Sequence, residues 1–235
     1  MLQAIAIGAT VLKILVFSPH PDDDIIGCGG SIAKHVQAGN QVSIAYMTSG
    51  DAGSLDYTKK ELGEIREKEA TKAANKLGVN DLIFLHEPDG YIQNKPDVLI
   101  KLVNLIRDMK PDLIYIPHKN DAVQDHQRTY EVVLEATKRA SGPWFQECSG
   151  TPWATPIVLG YEVWTPIQAP GYKEDISEFI DLKIEALLEH KSQVSSIKYD
   201  EAIKGLNRYR GLGFAVDSGQ PYGEAFEIIK TKQVY

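Results

Sequence analysis

Apolar residues in this chain fall into short dense runs separated by longer stretches of helical periodicity, and the two kinds alternate. Lys13-Ile14-Leu15-Val16-Phe17 is a β-branched and aromatic run behind one charge, the pattern of a strand buried on both faces. Gln41–Thr48, Asp81–Leu85 and Asp112–Ile116 repeat it. Between them lie a helical run from Ile32 to about Ala38, stopped by Gly39-Asn40, and another from about Thr58 to Leu77, closed at Gly78. A third, Asp97–Met109, turns Leu99, Leu102, Val103 and Ile106 to one inner face. Four successive β-α units predict an α/β chain with a mainly parallel sheet, right-handed crossovers and helices on both faces, a three-layer sandwich. Further on, the pattern predicts a helix from about Gln127 to Arg139, a loop-rich stretch over 142–155, a strand over Ile157–Trp164 and a long helix from Asp175 through about Ser192. The tail from Tyr199 reads as short helices and loops. No repeat or low-complexity linker interrupts the chain, so one domain over 1–235 is expected, with 1–12 as an N-terminal strand or packed extension.

The chemistry sits where these strands end. After Phe17 come Ser18-Pro19-His20-Pro21-Asp22-Asp23-Asp24, and the two prolines forbid both ladder and helix, so the strand must stop in a fixed turn. In an open α/β sheet the carboxyl ends of strands are where ligands collect. A histidine and an acid three positions apart on a tight turn can converge on one cation, leaving the intervening acid free for proton transfer. That combination suggests a hydrolytic metal site rather than a plain acidic turn. Gly27-x-Gly29-Gly30 lacks the G-x-G-x-x-G spacing, and three carboxylates would repel a pyrophosphate, so a dinucleotide loop fits poorly.

The fourth strand delivers a second concentration, Pro117-His118-Lys119-Asn120-Asp121-Ala122-Val123-Gln124-Asp125-His126. The third ends in His86-Glu87-Pro88-Asp89, where His86 reads as a packing or hydrogen-bonding residue. Arg66 reads by itself as a solvated i,i+3 partner of Glu69. His190, beside Lys191 on the long helix, reads as a surface or packing residue, and His118 divides evenly between a site role and loop hydrogen bonding.

Composition narrows the class. A net charge of −7 with no basic stripe argues against nucleic acid. Two cysteines, Cys28 and Cys148, give neither a disulfide framework nor a C-x-x-C pair, which fits a reducing cytoplasm. The apolar start, Met1 to Phe17, has no basic n-region, is interrupted by Lys13 and is shorter than the ~20 residues of a span, so no membrane association is expected.

Pro19-His20-Pro21-Asp22-Asp23, the later Asp125-His126 and the strand-helix order together resemble the PIG-L/LmbE-like family of zinc-dependent N-deacetylases, whose opening motif is PHPDDE followed by G-x-G-G. Asp24 stands here for the motif's Glu. Arg66-x-x-Glu69, Leu77-Gly78-Val79, Tyr161-Glu162-Val163-Trp164, Lys183, His190-Lys191-Ser192-Gln193 and Gly223-Glu224-Ala225-Phe226 extend the similarity over roughly 13–230. The resemblance implies a Rossmann-like domain, Zn²⁺ held by His20, Asp23 and His126, and Asp22 as general base. It implies that Asp125 orients its neighbours and that Arg66 and Asp89 contact the substrate; it also raises His190 as a substrate contact. Two imidazoles, one carboxylate and an open position suit a catalytic zinc. Relatives carry a polarising histidine where this chain has Val123, so His118 or His190 is expected to supply that donor, or the ion alone. The implied reaction is removal of an N-acetyl group from an N-acetylglucosamine-type sugar or conjugate, by a homotrimer or hexamer. A zinc-bearing sugar-binding protein without catalysis, and an amidase for a larger acyl or thiol conjugate, stay open. Substrate choice is expected in the loops 51–57, 88–96 and 142–156.

Overall fold

A computed structural model describes residues 11–195, 197–214 and 220–231. The expected extension over 1–12 therefore lies, except for Val11 and Leu12, outside the described residues.

The first strand, β1 (Lys13–Ser18), pairs in parallel with β2 (Gln41–Tyr46) on one side and β4 (Leu113–Pro117) on the other. β3 (Asp81–Phe84) continues beyond β2, and β5 (Ile157–Tyr161) beyond β4, both in parallel. With β6 (Tyr172–Asp175) and β7 (Gly223–Lys230), the seven-stranded order is β3-β2-β1-β4-β5-β7-β6, so the winding reverses between β1 and β4. Ligand crevices form at such a reversal, outside the carboxyl ends of the two strands. Ile14, Val16, Ile44 and Tyr46 face one buried cluster, while Leu15, Phe17, Ala45 and Ile116 face the other. Both faces are covered by helices, as continuous apolar strands require.

Four expectations are corrected by the fold. The first helix, α1 (Asp23–Gln37), begins at the second acid of the motif, nine residues before the predicted start at Ile32, and bends at Cys28 (φ −143°). The glycines are thus inside the helix, where they allow close approach. A Cβ on Gly27 would stand 2.1 Å from the Tyr161 ring, and one on Gly30 2.8 Å from Ile176. Beyond the bend, Glu224 accepts the Gly30 and Ser31 N–H groups, both at 2.8 Å, and pairs with buried Lys183 at 2.7 Å. A carboxylate from the far end of the chain caps the second half of the helix.

Second, the tail is not helix and loop alone. β7 (Gly223–Lys230) lies inside the sheet, antiparallel to β5 and to β6 (Tyr172–Asp175). Third, the long helix over 175–192 is broken into α5 (Ile180–Leu187) and α6 (Lys191–Val194), with His190 in the bend (ψ 59°). Fourth, β5 stops at Tyr161, which frees Glu162–Trp164 as loop. The helices α2 (Lys59–Lys76, with a Thr58/Glu61 capping box), α3 (Pro96–Met109), α4 (Gln124–Ala140) and α7 (Tyr199–Arg210) complete the order.

Candidate metal and catalytic site

The β1 turn bends the chain at Asp22, which has φ 120°, a region that L residues rarely occupy. The bend sends two adjacent carboxylates in different directions. Asp22 sits at the N-cap of α1 but makes no capping bond; its Oδ2 instead lies 3.2 Å from the Arg66 guanidinium. Asp23 turns inward, with Oδ2 at 3.0 Å from His20 Nδ1 and 3.2 Å from His126 Nε2. His126 comes from the first turn of α4, across the reversal between β1 and β4. The donor atoms of His20, Asp23 and His126 lie within 4.8 Å of one another.

Each imidazole has its own acid behind it. His126 Nδ1 stands 3.1 Å from Asp121 Oδ1, and His20 Nε2 stands 3.1 Å from Asp89 and 3.3 Å from Asp125. Such a partner fixes ring orientation and leaves the other nitrogen for a cation. With Nδ1 facing Asp121, the buried Nε2 of His126 makes no hydrogen bond of good geometry, and a bound cation would give it a partner. The donor set thus fits a divalent ion with borderline-soft preference.

Electrostatics separates the acids. Burial would raise the Asp23 carboxyl, but His126 and His20 overrule it and hold it well below the usual carboxylate range. Burial pushes Asp22 up to about 7, against the opposing pull of Arg66 and with help from the Asp23 charge. Asp24, also buried, is raised to about 7 and accepts hydrogen bonds from Tyr46 (3.1 Å) and Ser18 (3.3 Å). For His126, burial opposes protonation, but Asp23 and Asp121 prevail and raise it to about 9 in the absence of a cation.

A cavity of about 230 Å³ opens over this cluster, lined by His20, Asp22, Asp23, Arg66, Asp89 and the aromatic pair Trp164 and Tyr199, among others. A larger cavity of about 400 Å³ lies at the amino edge of the sheet, lined by residues such as Lys13, Val36 and Gly78, and holds no comparable chemistry.

The structure places the other sequence candidates as follows. Arg66 is no solvated partner of Glu69. It is buried, donating to the Gly50 carbonyl (3.0 Å) and the Pro21 carbonyl (2.7 Å), while Glu69 accepts from Ser192 at 2.9 and 2.6 Å. Asp89 reaches the cavity and accepts the Ala52 N–H at 2.8 Å. Asp125 accepts the Gly90 N–H at 2.7 Å, tying the loop after β3 to His20. His118 is not brought to the cavity: its Nε2 lies 2.7 Å from the Thr165 carbonyl. His190 is neither exposed nor on a continuous helix. It is fully buried with both ring nitrogens unpartnered, and burial, reinforced by the Arg66 charge, depresses it to about 3. Val123 is the N-cap of α4 and donates its N–H to Asp121 at 3.0 Å. The loop 142–156 lies at the opposite edge of the sheet from the cluster: Trp153 Nε1 donates to Pro111, and Arg107 gathers the Gly142 and Trp144 carbonyls. It cannot hold the specificity expected of it.

Two further residues, Asp121 and Trp164, stand at the site. Asp121 orients His126 and also accepts the Trp164 and Thr165 N–H groups at 2.9 and 3.1 Å. Its spacing of five residues from His126 is no known ligand interval, and only the loop's path reveals it. Trp164 was read as the end of a strand.

The chain is similar to several known proteins. Residues 15–137 match the family model described as PIG-L, GlcNAc-PI de-N-acetylase. The diacetylchitobiose deacetylase of Thermococcus kodakarensis is 27% identical over 224 residues, covering 93% of this chain and 84% of that protein. A probable N-acetyl-alpha-D-glucosaminyl L-malate deacetylase of Bacillus anthracis is 29% identical, covering 78% of this chain and 82% of its own length. Among solved structures, a Thermus thermophilus protein superposes with a TM-score of 0.84 at 31% identity, covering 96% of this chain and 98% of that one.

Proposed function

Since the chain belongs to the GlcNAc-PI de-N-acetylase (PIG-L) family, we propose that it hydrolyses the N-acetyl group of an N-acetylglucosamine-type sugar or conjugate, releasing acetate and a free amine. The observation that carries the proposal is the division of labour in one turn. His20, Asp23 and His126 converge within 4.8 Å, while Asp22, outside that set, is held beside them by Arg66 and raised to about 7.

Zn²⁺ is the ion this donor set suits, and when bound it supplies Lewis acidity and lowers the pKa of nearby water toward about 7. Asp22 accepts the proton of the attacking water. A carboxylate beside the donor set but outside it can take a proton and later give it back, which is the requirement for a general base that later acts as acid. The water oxygen attacks the acetyl carbon, the C–N bond breaks, and Asp22 returns the proton to the departing amine nitrogen. Arg66 holds Asp22 in place, and Asp89, whose Oδ1 faces His20 and whose Oδ2 accepts the Ala52 N–H, lines the cavity where a sugar hydroxyl would sit. Asp125 and Asp121 keep His20 and His126 in register. His118 is committed to Thr165 and position 123 is a valine, so neither donates to the acyl oxygen in this reading. His190 is a neutral ring beside the site rather than a cation. The same reading takes the protein as a cytoplasmic homotrimer or hexamer.

The test is acetate release from a panel of N-acetylglucosamine glycosides, run with metal content measured on the same preparation. Stoichiometric zinc with acetate production that collapses in Asp22→Asn supports the reading. Zinc and tight sugar binding without acetate would point to a binding protein, and products of longer acyl loss to the amidase.

A further inference from the structure

A guanidinium carries its N–H donors in one rigid plane, and a buried one needs an acceptor at each nitrogen to be held in direction. Two of the three nitrogens of buried Arg66 are placed. Nη1 donates to the Gly50 carbonyl at 3.0 Å, and Nη2 donates to the Pro21 carbonyl at 2.7 Å and to Asp22 at 3.2 Å. Gly50 packs so closely on the group that a Cβ there would stand 2.4 Å from Nη1. The third nitrogen, Nε, is buried as well and donates to no described residue. A charged donor kept dry without an acceptor is costly, so an acceptor belongs there.

One neighbouring side chain has the complementary need. His190 is fully buried, and neither ring nitrogen has a partner among the described residues. It stands at the break between α5 and α6, as the N-cap of α6, without using its side chain as a cap. Two residues on, Ser192 fastens α6 to α2. Its N–H and O–H donate to Glu69 at 2.9 and 2.6 Å, one helical turn along from Arg66. Gln193 then lines the cavity together with Arg66, so the short helix α6 lies alongside the guanidinium. Burial, reinforced by the Arg66 charge, keeps the His190 ring neutral. A neutral imidazole has one bare nitrogen that accepts, whereas an imidazolium has none.

Arg66 Nε and His190 are thus a donor without an acceptor and an acceptor without a donor on two elements packed together. They make no direct bond with each other. Buried polar groups so placed are joined by an internal water, which accepts from one and donates to the other.

We infer that His190 is a positioning residue: it takes up the Arg66 Nε–H through one internal water and so fixes the plane of the guanidinium that holds Asp22. This rests on the deacetylase reading above, in which Asp22 carries the proton. The direction of that carboxylate is then set from outside the motif, by the break between α5 and α6. An aliphatic side chain of similar size would fill the space and leave the link open.

The experiment is a double-mutant cycle on wild type, His190→Leu, Arg66→Lys and the variant carrying both, with His190→Gln as the conservative replacement. Arg66→Lys keeps the charge and has no Nε–H. Acetate release from an N-acetylglucosamine glycoside, zinc content and denaturant unfolding are measured on each. His190→Leu should lower kcat about 10- to 100-fold, with KM within about twofold and zinc unchanged, and His190→Gln should recover most of the loss. In the Arg66→Lys background, His190→Leu should cost less than about twofold more. Multiplying losses, a loss confined to KM, or a His190→Gln no better than His190→Leu would overturn the inference and leave deacetylation intact. The unfolding cycle reads the link without turnover. The drop in midpoint caused by His190→Leu should shrink by at least half when position 66 is lysine, and an equal drop in both backgrounds would overturn the link. Wild type that releases no acetate would overturn the deacetylase reading, and the unfolding cycle would then decide the link alone. If His190→Leu does not fold, His190→Met, which also lacks the acceptor nitrogen, takes its place in the cycle.

Discussion

The loops after β1 and β4 carry almost the same residue types and put them to opposite uses. In the first, three side chains within four residues (His20, Asp22 and Asp23) all line the candidate site. In the second, nine residues from His118 to His126 contribute one ring to the candidate metal cluster, and three others hold parts of the fold in place. His118 fastens Thr165; Asp121 fastens His126, Val123, Trp164 and Thr165; Asp125 fastens Gly90 and His20. The difference lies in the backbone. A proline-bounded turn with Asp22 at φ 120° keeps His20, Asp22 and Asp23 on one cavity wall while turning the two adjacent acids to different partners. A longer loop that runs into a helix spreads them, and their polar atoms find the nearest backbone groups instead. A dense cluster of ligand-type residues at a strand end is therefore no measure of how many of them do chemistry.

The sharpest way to break this contrast is Asp22→Asn. The side chain keeps its shape and tolerates the positive φ, yet cannot take a proton, so turnover should fall about 100- to 10,000-fold with zinc content unchanged. Loss of metal along with activity would make Asp22 a ligand and erase the division within the first loop. Next in size is Asp121→Ala, where the second loop should show its supporting role. Without the acid behind His126, metal affinity should drop about 10- to 100-fold in a competition with a chelator, including in protein with no substrate present. An unchanged affinity would mean that the helix alone orients the ring.

His118→Ala should act on stability rather than rate. It leaves the Thr165 carbonyl without its partner, at a cost of about 1–3 kcal/mol in denaturant unfolding, while kcat on a one-ring substrate stays within about tenfold. A loss on the scale of Asp22→Asn would return His118 to the chemistry and dissolve the comparison.

The remaining test concerns an imidazole from neither loop. His190 is buried and depressed to about 3, so the unfolded chain binds a proton there below its ordinary pKa of about 6.5 while the folded chain does not. Its contribution to stability is present above pH 6.5 and is lost as pH falls toward 3, at up to about 1.4 kcal/mol per pH unit. Comparing unfolding of wild type and His190→Leu between pH 7 and pH 4 reads this directly. The variant should lose less stability on acidification, and equal slopes would place the acid sensitivity elsewhere.

Features that depend on neighbours along the chain are legible in the residues alone. Alternating apolar runs and amphipathic stretches dictate the parallel sheet, because each pattern suits one backbone period. Two prolines behind a buried strand dictate a fixed turn at its carboxyl end, so the His20–Asp23 group was legible as a site before any fold was known. The tertiary structure alone decided which distant groups meet it. Glu224 reaches a bend in α1 that no periodicity announces, since Cys28 and the glycines read as a turn until Tyr161 and Ile176 press against them. β7 is an interior strand only because β5 and β6 offer it partners on both sides. Arg66 leaves its neighbour Glu69 because a buried guanidinium needs several acceptors at once, and Pro21, Asp22 and Gly50 supply them from two other loops. Burial of His190 and the exposure of Trp164 follow the same rule. Hydrogen bonding and desolvation are settled by the neighbours in space, and a residue's sequence neighbours do not reveal those.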